Sequence, residues 1–218
     1  MHPLKDNVHR ERDSLLYSTV AVRLRRKRTA AFALMVAGLL VTQSVRSFAT
    51  DRKIDIDHST LKIHVGKAGL FSAAGHEHWV TAPFGGGSLY DGDAPKVAFT
   101  VDARKLTVVQ DDKLTAEQQG EVERTMHARV LDSESYPLIS FHSTKIEKTG
   151  VNQWMVSGEL TLRGRSRPIL AEVRYNDGAY TGHSTIKQTD FGITPVSIGG
   201  LVKVKNELDI QFTVVPVR

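Results

Sequence analysis

Between Trp154 and Tyr175 the sequence W-M-V-S-G-E-L-T-L-R-G-R-S-R-P-I-L-A-E-V-R-Y leaves the chain little choice of local structure. Val156, Gly158, Leu160 and Leu162 recur at every second position, with Ser157, Glu159, Thr161 and Arg163 between them. That is the period of a strand with one face buried. A second arm repeats the pattern, Ile169, Ala171, Val173 and Tyr175 alternating with Leu170, Glu172 and Arg174. Arg163-Gly164-Arg165-Ser166 joins them through a glycine free to take positive φ, and Pro168 sits near a strand entry, where its missing N–H costs little. The stretch predicts a β-hairpin. One of its faces is apolar, so the rest of the chain has to close a sheet around it.

The flanking sequence supplies that sheet. Leu61, Ile63 and Val65 alternate with polar residues, Val97, Phe99 and Val101 do the same, and a further strand is expected from Leu138 to Ser143. Asp177-Gly178 is a two-residue turn leading to a polar strand from Ala179. The last stretch puts Val202, Val204, Leu208, Ile210, Phe212 and Val214 on one face. A single helix is expected from Thr115, where T-A-E-Q is a capping box. Val122, Met126 and Val130 form its apolar stripe, and Glu121, Glu123, Arg124 and Arg129 lie on other faces. About eight strands in antiparallel order with one flanking helix predict an all-β fold, a single closed antiparallel barrel rather than a sandwich.

Residues 1–49 read as an address and residues 50–218 as the folded domain. Arg23, Arg25, Arg26, Lys27 and Arg28 precede the apolar run Ala30 to Val41, and Ser47-Phe48-Ala49 follows as a small-x-small cleavage site. This is the order of a secretory signal peptide, and the run is shorter than the roughly 20 residues a membrane span needs. A periplasmic location with no stable membrane anchor after cleavage is the expectation. The leader holds nine of the 29 basic and three of the 24 acidic residues, leaving 20 against 21 in the domain. The formal charge of +5 thus belongs to the leader, and nothing points to a nucleic-acid partner. There is no cysteine, so no disulfide contributes to the fold.

Four ordered motifs carry a family resemblance: Asp57-His58-Ser59, then Ser135-Tyr136-Pro137-Leu138-Ile139-Ser140-Phe141-His142-Ser143, then Gly158-Glu159-Leu160-Thr161-Leu162-Arg163-Gly164 with Arg167-Pro168, and finally Asp190-Phe191-Gly192-Ile193. Over residues 53–216 the chain resembles the YceI-like family of exported proteins. The resemblance implies a lipocalin-like barrel that binds a long isoprenoid or similar amphiphilic lipid in an apolar channel, with no catalytic residues and no cofactor. A homodimer through an exposed sheet edge is compatible with it.

The interior of an eight-stranded barrel has room for one slender ligand when some inward positions are small. Gly158, Ala171 and Ala98 are the expected small positions, and Phe71, Trp79, Phe99, Phe141, Phe191 and Phe212 the expected walls. The competing chemistry is metal-dependent catalysis. His76 and His78 lie two apart on an extended stretch and so share a face. A third ligand would have to come from His58, His64, His142, His183 or Glu77. No G-x-S-x-G and no cysteine nucleophile is present.

Overall fold

The computed structural model describes residues 51–68, 77–198 and 202–217. The leader 1–49, Phe71 and His76 lie outside the described residues. The hairpin forms as its periodicity demands, and tighter than the four-residue connection suggests. Leu162 pairs directly with Arg165, and Arg163 (φ 50°) and Gly164 (φ 67°) make a two-residue turn with both residues left-handed. Asp177 (φ 48°) and Gly178 (φ 86°) build a second turn of the same kind.

Among the described residues the strand segments number twelve rather than about eight. They are β1 (Asp51–Lys53), β2 (Thr60–Ala68), β3 (His78–Thr81), β4 (Phe84–Tyr90), β5 (Lys96–Asp102), β6 (Thr107–Val108), β7 (Leu138–Gly150), β8 (Gln153–Leu162), β9 (Arg165–Asn176), β10 (Ala179–Lys187), β11 (Ser197–Ile198) and β12 (Val202–Val214). All belong to one antiparallel sheet, in the order β1-β4-β5-β7-β8-β9-β10-β12-β2-β3-β6, with β11 paired to β12.

The larger number comes from three broken strands. Asp51↔Tyr90 and Lys62↔Thr81 are rungs of a single hairpin, so β1 and β2 are one line interrupted by the turn at residues 55–59. Likewise β3 and β4, split at Ala82-Pro83, run beside β6 and β5, which are split by a 3-10 turn at Ala103–Lys105. Pro83 and a bulge between Phe84 and Gly86 account for the first of these breaks. Merged, and with the two-residue β11 counted as an addition to β12, the segments form eight lines: the three broken pairs, then β7, β8, β9, β10 and β12. The last line meets the first. β12 pairs with β2 from Lys203↔Ala68 to Thr213↔Thr60, and Ile54 bridges Pro216 just beyond it. Hydrogen bonds from Asp55 N–H to Val215 O and from Val217 N–H to Lys53 O, both 2.8 Å, continue that contact. The sheet therefore curls onto itself as a lipocalin-like barrel.

The helix α1 (Ala116–Thr125) starts where the capping box places it. Thr115 Oγ1 accepts from Gln118 N–H at 3.2 Å, and Gln118 Oε1 accepts from Thr115 N–H at 2.9 Å. The chain then continues as a π-helical stretch, Met126–Leu131, and stops at Asp132, whose φ is 48°. Met126 is buried, with Val122 and Val130 packed on the same core. Two polar residues of α1 also hold it, which the apolar stripe does not reveal. Glu123 Oε2 accepts from Val108 N–H at 3.3 Å, and Gln119 Nε2 donates to Val108 O at 3.1 Å, so the helix satisfies the free edge of β6. Glu123, expected on a solvent face, is a contact of the fold.

Met126→Asp is expected to destabilise the protein by about 3 kcal/mol or more, because a carboxylate would be carried into the core without a partner. Exposed Glu117→Ala is expected to change stability by less than about 0.5 kcal/mol. Urea titration of the two variants checks both, and equal midpoints would mean α1 is not docked through Met126.

Candidate ligand-binding cavity

The inward faces of the strands do not meet. Between them lies an apolar cavity of about 830 Å³, in the upper part of the ~300–1,000 Å³ span of small-molecule sites. Most of its wall is aliphatic: Ile63 on β2, Val156 on β8, Ile169 and Ala171 on β9, and Leu208 and Ile210 on β12 contribute to it. α1 and the stretch after it add Val122, Met126 and Val130.

Three glycines keep the lumen open, and not by presenting empty space of their own. Gly158 and Gly182 each lie beneath a phenylalanine ring of the adjacent strand, and Gly87 lies against the Ala98 carbonyl and Ile54. A Cβ on Gly158 would overlap the ring of Phe141 and sit 2.6 Å from the His142 carbonyl oxygen. One on Gly182 would overlap the Glu172 carbonyl and come within 2.5 Å of Phe212 Cζ. One on Gly87 would stand 2.8 Å from Phe99 Cβ. The glycines let these rings lie down along the wall instead of standing across the barrel, an arrangement in which an aromatic ring covers a glycine on the neighbouring strand. Phe99 and Phe141 then stack, with ring centroids 5.3 Å apart, and Phe84 meets Phe99 edge-on at 5.2 Å.

Among the expected site residues, Phe99, Phe141, Ala171 and Phe212 line the cavity. Gly158 faces inward, but the space above it belongs to Phe141, so it makes room for the wall and not for a ligand. Ala98 is exposed on the outer face, as the period of two requires once Val97 and Phe99 face in. Trp79 is 36% exposed and lies against His64 on the outside of the barrel, with ring centroids 4.8 Å apart. Phe191 is 1% exposed and belongs to the buried core, off the cavity wall. A reading by aromatic residues alone passes over the aliphatic wall. The signal was the inward register itself, which selects every second residue whatever its size.

Polar groups sit sparsely in the wall, and two of the buried ones, Ser184 and Gln188, are engaged. Ser184 Oγ donates to Leu170 O at 2.8 Å, and Gln188 Nε2 donates to Lys205 O at 2.7 Å. Towards its ends the lining becomes charged, with Asp91 and Lys96 around the β4–β5 turn and Glu121 and Arg129 around the helix. Glu121 bonds Arg124 at 2.7 Å, and that hydrogen bond holds its carboxyl below the usual range. Away from the cavity, Arg104 lowers the Asp102 carboxyl to about 2. His78 lines the cavity, whereas its proposed partner His76 is not described. Among the described residues no group of three or more His, Cys, Asp or Glu is arranged to hold a metal ion.

The sequence profile of the YceI-like domain matches residues 53–215, the whole of this barrel. The chain belongs to the YceI-like family. Its relatives include a UPF0312 protein of Pseudomonas putida (strain W619), 25% identical over 177 residues, covering 74% of this chain and 86% of the relative. A UPF0312 protein of Vibrio cholerae (serotype O1, strain M66-2) is 25% identical over 192 residues, covering 79% and 94%. Among solved structures, BcnA of Burkholderia cenocepacia superposes with a TM-score of 0.51 at 18% identity, over 74% of this chain and 98% of that one, and so shares the fold. A polyisoprenoid-binding domain from Saccharophagus degradans aligns at 13% identity with a TM-score of 0.49, over 74% and 95%.

In this YceI-like chain the resemblance motifs mostly fasten the barrel rather than line it. Gly164 packs against the ring of Tyr136, where an added Cβ would be 2.9 Å from Cε1. Gly192 lies beneath the Arg165 guanidinium, and Arg163 Nη1 donates to Gly192 O at 3.3 Å. The Ser-Tyr-Pro, Arg-Gly-Arg and Phe-Gly-Ile segments thus meet in one cluster. The first motif acts elsewhere: Ser59 Oγ accepts from Val215 N–H at 2.9 Å, beside the contact that closes the sheet.

Proposed function

We propose that this YceI-like protein is exported to the periplasm, where it carries or sequesters a long-chain isoprenoid or similar amphiphilic lipid in the barrel cavity. The observation that carries the reading is the cavity itself: about 830 Å³ of space walled mainly by aliphatic and aromatic side chains, with charge towards its ends. Each CH₂ of a chain buried there would contribute roughly 0.8 kcal/mol, so a few isoprene units suffice for strong retention. Binding rather than catalysis is favoured by two buried polar residues of the wall. Ser184 and Gln188 both spend a donor on backbone carbonyls instead of pointing a free group at the lumen. Export is supported by the basic run, the short apolar stretch and the Ser47-Phe48-Ala49 site.

One measurement tests both parts. Native mass spectrometry of protein taken from the periplasmic fraction of its own cells is expected to show a chain beginning at Thr50 with a hydrophobic compound of several hundred daltons bound. A chain retaining the leader and confined to the cytosol would remove the export reading. Protein free of any lipid but carrying stoichiometric metal would replace the carrier reading with the metal-dependent one.

A further inference from the structure

Part of the cavity is walled by a helix instead of by strands. Val122 and Thr125 of α1, then Met126, Val130 and Leu131 after it, line the space, and the exposed Glu121 and Arg129 border it as well. Their spacing of three and four residues puts them on one helical face, so the apolar stripe of α1 looks partly onto open space and not only onto packed side chains. Burial agrees. No residue of α1 is buried, and Val122, at the middle of the stripe, is only half-buried.

The segment that carries this face is lightly fastened to the barrel. Its backbone is bonded to the barrel at Val109, whose N–H donates to Trp79 O at 2.7 Å, and next at Pro137, whose carbonyl accepts from Ala103 N–H at 2.8 Å. Between those points, among the described residues, the backbone bonds only itself. Two side chains of α1 clasp the strand edge instead: Glu123 and Gln119 both bond Val108, and Gln119 Nε2 also donates to Val109 O at 3.3 Å. The clasp is incomplete. Gln119 Oε1 is buried with no hydrogen-bond partner among the described residues, which offsets part of what the docked position gains.

The two ends of the segment are held differently. Leu131 and Ser133 are buried, and Ser133 braces the last turn, its N–H donating to His127 O at 3.1 Å and its Oγ lying 3.2 Å from His127 Nδ1. That end is anchored. At the other end residues 115–118 are exposed, and the docked position there depends on the clasp. The stretch between α1 and the anchor, Met126–Leu131, is π-helical, a conformation that is rare and concentrates at functional sites.

We propose that α1 is a lid on the cavity: its N-terminal part lifts from β6 while the Leu131–Ser133 end stays in place, and the ligand's chain enters and leaves beneath it. The strand walls are held by backbone ladders, whereas lifting α1 breaks two side-chain contacts and exposes a stripe that is already partly uncovered. A chain lying in the cavity would cover Val122, Met126 and Val130, so it binds the closed form better and holds the lid down. The inference rests on the carrier reading above and adds to it the route to the site.

Because the chain has no cysteine, one pair can be introduced without background. In the variant Val109→Cys, Gln119→Cys the thiols would be bridged by a short bismaleimide, and uptake and release of N-phenyl-1-naphthylamine, an uncharged probe that brightens in apolar surroundings, would be followed by stopped flow. Bridging is expected to slow both rates by about tenfold or more relative to the same variant unbridged, whose binding of the probe also shows that it is folded. Gln119→Ala, Glu123→Ala is expected to do the opposite, raising both rates by about fivefold while Kd stays within about threefold. Equal rates before and after bridging would overturn the lid and put the route elsewhere, such as the β4–β5 end. A Kd that rises in the alanine variant with the association rate unchanged would overturn it too, since the two residues would then only support the wall. Wild type that binds the probe at rates bridging does not alter removes this inference alone, whereas wild type that does not take up the probe removes the carrier reading with it.

Discussion

Gly158→Leu is expected to cost about 3 kcal/mol or more, at or beyond the upper end of the usual penalty for overpacking a core. The reason is specific to the site. The new Cβ would overlap the Phe141 ring and press to within 2.6 Å of the His142 carbonyl, and the second obstacle is backbone of the adjacent strand β7. A ring can swing away, but a ladder carbonyl cannot move without disturbing the pairing of Phe141↔Leu160 and Ser143↔Gly158. Removing the ring should therefore rescue only part of the loss. In a cycle of Gly158→Ala, Phe141→Ala and the double variant, a coupling of about 0.5–3 kcal/mol is expected by chemical denaturation. Strict additivity would show that the ring does not rest on Gly158.

This arrangement also shows where the sequence could be read and where it could not. The period of two from Val156 to Leu162 identifies which side chains of β8 face inward, because the face of a residue in a strand is set by parity alone. The capping box at Thr115 is equally local, and the helix begins where it says. What lies in front of an inward residue is not local. Gly158 and Ala171 look alike in the sequence as small inward positions, yet one is covered by a ring from β7 and the other opens on the lumen. The difference is the register between strands, in which Phe141 lies diagonally across from Gly158. Composition carries no trace of that register. The same limit hid the role of Glu123, whose partner is the edge of a strand 15 residues earlier, and the stretch of β9 that β10 leaves unpaired. Pro168 is legible in the sequence as a strand-entry residue, but not as one beside an unpaired stretch of β9.

Ala171→Phe is expected to abolish most lipid binding while leaving the delipidated protein folded. Ala171 is paired with Val156 and, unlike Gly158, borders the cavity itself. A phenyl group added there projects into the cavity of about 830 Å³ rather than into a neighbouring strand. The usual overpacking penalty should be largely absent, and the thermal midpoint of delipidated protein is expected to shift by no more than about 1 kcal/mol of stability. The ligand pays instead, since the ring takes up lumen that the apolar chain would fill at roughly 0.8 kcal/mol per CH₂, and retained lipid after extraction should fall to a small fraction of the wild-type amount. Comparison with Gly158→Leu makes the test sharp, because both changes enlarge a small inward residue within one pair of strands. A hollow barrel predicts opposite outcomes, one variant losing stability and the other losing ligand. If Ala171→Phe were instead as damaging as Gly158→Leu, the lumen would be closed at this level, and the cavity as a lipid site would lose its physical basis. If stability and lipid content were both unchanged, the bound chain would have to lie along another part of the wall, away from β9.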